Sequence, residues 1–294
     1  MLVVIFKVYT HAMSQPMIIL YDVPSNIPQP WAPNVWRIRS VHSYVSTFRN
    51  LFIAILRLIL NYKRLPYRTC WVEFPDVEKT LRAINAPPTS IRPDGRPVYT
   101  LPAILDPTRI SSGTYLDSSG SLTQPRPVVL THANTIAEYL EHAYPARPVV
   151  PEGTRALQTL FVHYIAEVFI QPLLQIMVPL SHQRLPPHVQ NHFHIGVADQ
   201  RDEYEQHAQR REGQWAAVQA QFAFLAGVLE KNAGDGDGDV AMGHELTYAD
   251  FAVCSVLLWI EKVAPHEGWA RVREWDGGRW GRLWERCKAY MDVF

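Results

Sequence analysis

The stretch Tyr99-Thr100-Leu101-Pro102-Ala103-Ile104-Leu105-Asp106 places a proline at the first position of a short apolar segment. Proline has no backbone N–H to donate, so it is found at strand starts and sheet edges. The stretch therefore predicts a turn that enters a β-strand. Only about 5–6% of X-Pro bonds are cis, so the residues alone favour an ordinary trans turn. A cis bond would direct the N–H and C=O of Leu101 outward, where a peptide-like ligand pairs as an added strand.

The composition indicates a globular chain of two domains. The sequence has 294 residues, of which 47% are apolar and 19% charged, enough for a sizeable core. Lys and Arg number 28 and so do Asp and Glu, which gives a formal net charge of zero. No basic run is interleaved with aromatic residues, so we expect no nucleic-acid partner. Nine tryptophans indicate apolar pockets, large interfaces or a thick core.

The cysteines and the apolar runs bear on the cellular compartment. Cys70, Cys254 and Cys287 are far apart and odd in number, which favours a reduced, cytoplasmic protein. No apolar run reaches the roughly 18–20 residues that span a bilayer, so no transmembrane segment is expected. The apolar start Met1–Phe6 is too short for a signal-peptide core, and Met13 is an alternative start.

The first half alternates strand and helix patterns in the order β-α-β-α-β-β-α. This order predicts a small mixed sheet that begins with a βαβ unit and ends with a hairpin. Residues 86–99 contain Pro87-Pro88 and Asp94-Gly95, and they are expected to form a loop. The predicted strands are Met17–Tyr21, Tyr67–Phe74, the segment after Pro102 and Val128–Leu130; the predicted helices begin at Asn34, run from Asp76 to about Ile84, and cover Asn134–Ala143.

The second half, after a linker at Tyr144–Pro148, contains helical patterns and no strand candidate. Pro172 should kink or end the first of these helices. Thr247 and Asp250 have the spacing of a capping box, and the apolar run Phe251–Ile260 predicts a buried central helix. Three apolar stripes have helical spacing: Leu157, Leu160, Phe161, Tyr164, Ile165 and Val168; Trp215, Val218, Phe222, Leu225 and Leu229; and Trp280, Leu283, Trp284, Cys287, Tyr290 and Met291.

Five motifs in this order resemble the glutathione transferase superfamily, and more closely its fungal and bacterial β-etherase-like members. The resemblance covers about residues 17–294. It implies an α/β thioredoxin-like N-terminal domain (β-α-β-α-β-β-α) at 17–147, after a poorly structured extension at 1–16, and an all-α C-terminal helical domain at 148–294. The motifs are Ile19-Leu20-Tyr21-Asp22, Trp31-Ala32-Pro33-Asn34-Val35-Trp36-Arg37, Tyr99-Thr100-Leu101-Pro102-Ala103, Ile136-Ala137-Glu138-Tyr139-Leu140-Glu141 and Thr247-Tyr248-Ala249-Asp250-Phe251.

The resemblance also implies glutathione as a co-substrate. The backbone of Leu101, before a cis Pro102, would pair with the cysteinyl part of glutathione. The N-terminus of the helix at Asn34 would face the sulfur and favour its thiolate. Trp31 would line the pocket of the second, apolar substrate. The residues at the γ-glutamyl end would be Thr131, His132 and Ala133.

Two positions depart from the family pattern. Ala32 stands where the family has the serine that stabilises the thiolate, which makes Ser25 and Asn34 the catalytic candidates. His132-Ala133 stands where the family has an acidic residue followed by serine, the pair that holds the γ-glutamyl group. The loss of a charge-assisted hydrogen bond costs on the order of 1.5–3 kcal/mol, so we expect weaker glutathione binding unless Thr131, His132 or Asn134 compensates.

Two segments lengthen the chain relative to the family. Residues 40–57 are an insertion, and their deletion joins Arg39 to Leu58 in an ordinary amphipathic helix. We hypothesise that the insertion is a translated intron or an error in the gene model; alternatively, it extends the helix by packing or offers an apolar face to a partner or membrane surface. Residues 107–127 form a long Ser- and Gly-rich loop in place of a tight hairpin, which suggests a lid.

Two other motifs contain residue types that can bind metal ions, but each has a simpler interpretation. His188, His192 and His194 lack the glutamate of the metalloprotease motif, so a solvated helix face is expected there. The Asp-Gly segment 233–239 lacks the spacing of an EF-hand and is expected to be a solvated loop, so we predict no metal cofactor.

The function predicted from the sequence is that of a glutathione transferase acting on an apolar or aromatic electrophile, in detoxification or secondary metabolism. The alternative is a non-catalytic protein of the same fold that carries apolar small molecules, which Ala32 and His132-Ala133 favour. A third possibility is a defective gene model with no stable product. The family commonly forms dimers, so a homodimer is a further expectation.

Overall fold

The structure, a computed structural model, describes residues 16–24, 52–110, 126–185, 187, 204–234, 236 and 238–294. Within these ranges an α/β domain precedes a helical domain. The strands are β1 (Ile18–Asp22), β2 (Tyr67–Trp71), β3 (Ser90–Ile91), β4 (Pro97–Val98), β5 (Ala103–Ile110) and β6 (Pro127–Thr131). The helices are α1 (Phe52–Tyr62), α2 (Val77–Ala83), α3 (Ala133–Ala143), α4 (Arg155–Tyr164), α5 (Gln171–Gln183), α6 (Tyr204–Leu229), α7 (Tyr248–Val263), α8 (Ala270–Val272) and α9 (Trp275–Cys287).

The main sheet has the strand order β2-β1-β5-β6. Strand β1 is parallel to β2, and β5 is antiparallel to both β1 and β6. The predicted mixed sheet is therefore confirmed. Side chains alternate along β1, so Leu20 packs with α1 and the helical domain, whereas Ile19 and Tyr21 pack with α2 on the other face.

Three local details of the α/β domain differ from the sequence-based expectation. Strand β2 ends at Trp71, because Phe74–Asp76 form a 3₁₀ turn that includes Pro75. The expected loop 86–99 contains the two-stranded ladder β3–β4, which turns at Gly95 with a φ of +79°. Asp76 stands at the N-cap of α2, but within the described chain its carboxylate makes no capping hydrogen bond.

Helix α7 is the centre of the helical domain, as predicted. All ten residues from Phe251 to Ile260 are buried. At its start, the Thr247 N–H donates to Asp250 Oδ2 at 2.8 Å, and the Ala241 N–H donates to Asp250 Oδ1 at 2.8 Å. The capping box predicted from two residues is therefore present, and it also anchors the preceding loop.

The three predicted apolar stripes are buried to different extents. The stripe on α6 is buried throughout, and Trp280, Leu283 and Cys287 on α9 are also buried. The stripe on α4 is not a core face. Ile165 is buried, but Leu157 and Leu160 are 64% and 63% exposed.

The chain bends between α4 and α5, where a π-helical turn (Ile165–Phe169) precedes Pro172 in the first turn of α5. The segments 155–169 and 171–183 meet at 69°. In the described part of the chain no single helix is long and apolar enough to cross a membrane. Only these two segments, taken together, reach that length and composition.

The segments that lengthen the chain are partly described. Residues 52–57 form the first half of α1, and Ile55, Leu56 and Arg57 are fully buried. Residues 107–110 belong to β5, and Pro127 begins β6. Apart from Pro16 and Arg126, the remainder of the insertion, of the long loop and of the predicted extension 1–16 lies outside the described residues.

Lys63 joins the two domains at the linker. Its buried ammonium group lies 2.6 Å from Glu141 Oε1 and donates to the carbonyl oxygen of Tyr144 at 2.9 Å. Because the ammonium group binds both α3 and the chain that leaves it, the linker is held against α3. Residues of both domains line a cavity between them.

Candidate functional site

The cleft between the domains contains a cavity of about 660 Å³. This volume lies within the roughly 300–1,000 Å³ that is usual for small-molecule sites. One wall comes from the turn before β5 and the start of α3, and the other from α4 and the turn that follows it. The described lining residues are Thr89, Thr100, Leu101, Pro102, His132, Ala133, Asn134, Ala156, Thr159, Leu160, Val162, His163, Ala166 and Glu167.

The first wall begins at the Leu101–Pro102 peptide bond, which is cis. The Leu101 side chain is buried in the core between the sheet and α2. With the side chain anchored there, the backbone of this residue runs along the cavity. Strand β5 begins directly after Pro102, and its first residue, Ala103, pairs with Tyr21 of β1 and Thr131 of β6.

The same wall continues at His132, between β6 and α3. Its φ is +67° and its ψ is 123°, a conformation that costs a non-glycine residue on the order of 1–3 kcal/mol. Asn134 Oδ1 accepts a hydrogen bond of 2.7 Å from the Tyr248 hydroxyl of α7. Burial raises the pKa of Tyr248, so this hydroxyl stays protonated and donates. The start of α3 is therefore held by the helical domain.

The structure places the predicted glutathione residues unequally. Leu101, Pro102, His132 and Ala133 line the cavity together. Thr131 does not: it is buried, and its hydroxyl donates to the carbonyl oxygen of Pro87 at 3.1 Å. The other predicted site residues, Ser25, Trp31 and Asn34, and the substituted position Ala32 lie outside the described residues.

The second wall was missed by the sequence-based interpretation, which considered only the apolar stripe of this helix. Thr159, His163 and Glu167 follow one another at intervals of four and line the cavity together. Residues four apart lie on one helix face, so this polar row was a signal available in the sequence. Around it the wall is formed by small or apolar side chains, among them Val162 and Ala166.

The structure describes only some of the residues in the candidate metal-binding segments. Among the described residues there is no group of three or more His, Cys, Asp or Glu side chains that could hold a metal ion. Asp239, at the end of the Asp-Gly loop, accepts two hydrogen bonds from Arg282, at 2.6 and 2.8 Å. The negative charge of this carboxylate is therefore paired with the positive charge of an arginine. Asp235 and Asp237 lie outside the described residues, as do His188, His192 and His194.

An apolar groove of about 360 Å³ runs beside the cavity, between α4 and α6. Leu160 borders both spaces. No described residue of the groove carries a charge. The groove is lined by Leu157, Gln158, Leu160, Phe161, Tyr164, Phe224, Leu225, Val228, Ala241, Met242 and Ala249.

Comparisons with known proteins agree on one family. Residues 156–290 match the model of the glutathione S-transferase C-terminal domain. The chain is 23% identical over 287 residues to the glutathione S-transferase-like protein ustS of Aspergillus flavus, covering 92% of this chain and 90% of that protein.

Two crystal structures are similar over nearly the whole chain. Glutathione transferase GSTFuA3 from Phanerochaete chrysosporium is 30% identical with a TM-score of 0.71, covering 96% of this chain and 100% of that one. Glutathione S-transferase CsGST63524 of Ceriporiopsis subvermispora, solved in complex with glutathione, is 28% identical with a TM-score of 0.72, covering 95% and 99%.

Proposed function

The chain belongs to the glutathione S-transferase superfamily, and we propose that it binds glutathione in the interdomain cavity and transfers it to an apolar, aromatic electrophile. The observation that carries this proposal is the convergence of the Leu101 edge, the His132 turn and the polar row of α4 on one cavity. Its placement within the β-etherase-like group of the superfamily remains a prediction.

Each part of glutathione has a proposed partner. The backbone of Leu101 pairs with the cysteinyl residue as an added strand. His132 and Ala133, at the start of α3, receive the γ-glutamyl end, where the helix N-terminus favours its carboxylate. The sulfur lies at the helix predicted to begin near Asn34, with Ser25 or Asn34 stabilising the thiolate and Trp31 stacking on the electrophile.

The proposed chemistry needs little beyond placement of the two reactants. A thiolate is the attacking form of glutathione, and a helix N-terminus with a neighbouring hydroxyl or amide group stabilises that charge. The apolar part of the cavity holds the electrophile against the sulfur, which converts a bimolecular step into an effectively unimolecular one. We propose a cytoplasmic setting, in detoxification or secondary metabolism, which the reduced cysteines favour.

Restoring the family pair at the start of α3 tests the glutathione site. We expect the double variant His132→Glu/Ala133→Ser to bind glutathione about 10- to 100-fold more tightly than the native chain, because a carboxylate and a hydroxyl then meet the γ-glutamyl group through charge-assisted hydrogen bonds. Isothermal titration calorimetry measures both dissociation constants. The native chain should bind with a dissociation constant in the micromolar-to-millimolar range.

The dipeptide Cys-Gly is the matched control ligand, because it lacks the γ-glutamyl group. Its affinity should be the same for the native chain and the double variant. An equal gain for both ligands would show that the substitutions act elsewhere. Absence of glutathione binding in a chain that is well folded by circular dichroism would refute the proposed function.

We further propose that the chain forms a homodimer through the apolar face of α4 and α6. The face carries protruding side chains, such as Leu157 and Phe224, beside the uncharged groove. A twofold axis can pack this face of one copy against the same face of the other, and exposed apolar patches of this kind mark interaction sites.

Phe224→Glu should convert the dimer to a monomer, because a carboxylate buried in an apolar interface has no partner. Sedimentation equilibrium measures the change. Ile91→Glu, on the β3–β4 ladder, is the matched control, since Ile91 and Phe224 are similarly exposed, at 68% and 60%. A native chain that is monomeric at micromolar concentration, or a Phe224→Glu variant that stays dimeric, contradicts this interface.

A further inference from the structure

His163 has a distinctive place in the cavity. It is exposed, it projects from α4 into the cavity that Leu101 and His132 line on the opposite wall, and Glu167 follows it one turn later on the same face. The titratable side chains among the described lining residues are these two histidines and this glutamate. His163 and Glu167 stand on the wall opposite His132.

The chemistry of glutathione transfer depends on the atom that leaves. When a thiolate attacks carbon, a C–S bond forms and the bond from that carbon to the leaving atom breaks. A halide leaves as a stable anion and needs no proton. An alkoxide or phenoxide is much more basic, and a positioned proton donor accelerates its departure by a factor of roughly 10²–10⁴. Histidine is the side chain most often used for this purpose.

We propose that His163 is the general acid of this site, and that the electrophile is therefore an epoxide or an aryl ether rather than an aryl halide. The inference rests on the proposed function and narrows its substrate class. The glutathione sulfur forms a bond to carbon, the C–O bond breaks with its electron pair on oxygen, and the imidazolium proton moves to that oxygen. The products are a thioether and an alcohol or phenol.

The proton returns without any further reactant. The next glutathione releases a proton as its thiol ionises to the thiolate, and the imidazole of His163 takes one up from solvent. Neither an oxidant nor a reductant is needed, so each turnover balances. Glu167, in the π-helical turn that follows α4, lines the same cavity.

The other titratable groups fit this role less well. His132 is held at the start of α3, where the γ-glutamyl end is proposed to bind. Glu167 would have to carry a proton as a carboxylic acid. Leu160, which is 63% exposed, lines the same wall as His163 and offers the apolar surface that an aromatic ring requires. The acid and the ring of the electrophile can thus meet on one wall.

Two substrates that differ in their leaving atom test the proposal. Chlorodinitrobenzene releases chloride, whereas styrene oxide opens to an alkoxide that must be protonated. We expect His163→Gln to lower kcat/KM for styrene oxide about 100-fold and to change kcat/KM for chlorodinitrobenzene by less than about threefold. Calorimetry should give the same glutathione affinity for the variant and the native chain.

A series of aryl ethers provides an independent readout. With His163 present, the rate should depend weakly on the basicity of the leaving phenol, and in His163→Gln that dependence should steepen. His142→Gln is the matched control because it makes the same substitution at an exposed histidine of α3 that does not line the cavity. Its effect should be small and equal for all substrates.

Each alternative result has a distinct meaning. Equal losses for the epoxide and the chloride in His163→Gln, or no loss for either, would overturn the general-acid role while leaving the transferase function standing. A native chain that converts chlorodinitrobenzene but neither epoxide nor ether would overturn the substrate class. A native chain that binds no glutathione would refute the proposed function itself.

Discussion

Replacing Arg57 by methionine is expected to lower the free energy of unfolding by about 3–5 kcal/mol, because the substitution leaves a buried carboxylate without its partner. The Arg57 guanidinium donates to Asp22 Oδ2 at 2.7 Å and to Thr69 Oγ1 at 2.7 Å. Both charged side chains of the ion pair are fully buried. Arg57 thus ties α1 to the end of β1 and to the middle of β2. Urea denaturation followed by circular dichroism measures the loss.

The loss in Arg57→Met should depend on pH. Burial raises the pKa of Asp22, and Arg57 acts in the opposite direction. Without the arginine the folded pKa of Asp22 rises further above its unfolded value, so the folded state binds the proton more tightly than the unfolded state. Stability of the variant should therefore fall as pH rises above about 4, and its deficit should be smaller near pH 4 than at pH 7.

Arg96→Met is the matched control for this prediction. Arg96 also faces a carboxylate, that of Asp94 at 3.6 Å, but its side chain is 78% exposed. An exposed pair contributes at most about 1 kcal/mol. The double variant Asp22→Asn/Arg57→Met removes both charges and should recover part of the loss. Equal losses of stability in Arg57→Met and Arg96→Met would show that burial of the ion pair does not determine the size of the loss.

The contact made by Arg57 also provides a test of whether the insertion is needed for folding. Deletion of residues 40–57 places Arg39 directly before Leu58, where Arg57 stands in the full chain. We expect the shortened chain to fold, with Arg39 taking over the contact with Asp22. Arg39→Met should then cost the shortened chain the same 3–5 kcal/mol or so. A shortened chain that does not fold would indicate that residues 40–57 are required.

Replacing Asp250 by alanine is expected to lower the free energy of unfolding by about 3 kcal/mol. The buried Asp250 carboxylate accepts three hydrogen bonds: from the Thr247 N–H at 2.8 Å, from the Thr247 hydroxyl at 2.7 Å and from the Ala241 N–H at 2.8 Å. Alanine leaves these donors buried without an acceptor. Thermal and urea unfolding measure the effect.

Asp76→Ala supplies the control for Asp250→Ala, since Asp76 stands at the N-cap of α2 but makes no capping hydrogen bond within the described chain. We expect this substitution to change stability by less than about 0.5 kcal/mol. The Asp250→Ala variant should also weaken glutathione binding, because Tyr248 in the same helical turn holds Asn134 at the cavity. Similar losses for both aspartates would contradict the buried network as the cause.

Elements that depend on local patterns could be predicted from the residues. Short apolar and β-branched runs located the four strands of the main sheet, and the apolar stripe of α6 proved to be a core face. The capping box at Thr247 and Asp250 involves groups only three residues apart. Such features are predictable because backbone geometry and near neighbours suffice to produce them.

The cavity wall that the N-terminal domain contributes was also largely predictable. The motif around Pro102 and the turn at His132 were each recognised in the sequence as candidate site segments. The structure brings both to one cavity. Thr131 was predicted as a site residue on the same grounds, but its hydroxyl donates to the carbonyl oxygen of Pro87. Proximity in sequence therefore identified the turn but not the direction of each side chain.

The tertiary structure alone decided what each helix face contacts. A stripe shows that Leu157 and Leu160 share a face of α4, but not that both are exposed or that Leu160 lines a cavity with Thr159 and His163. Likewise, no local pattern joins Arg57 to Asp22, which is 35 positions away. Contacts between distant segments arise from packing of the whole chain, so local periodicity cannot specify them.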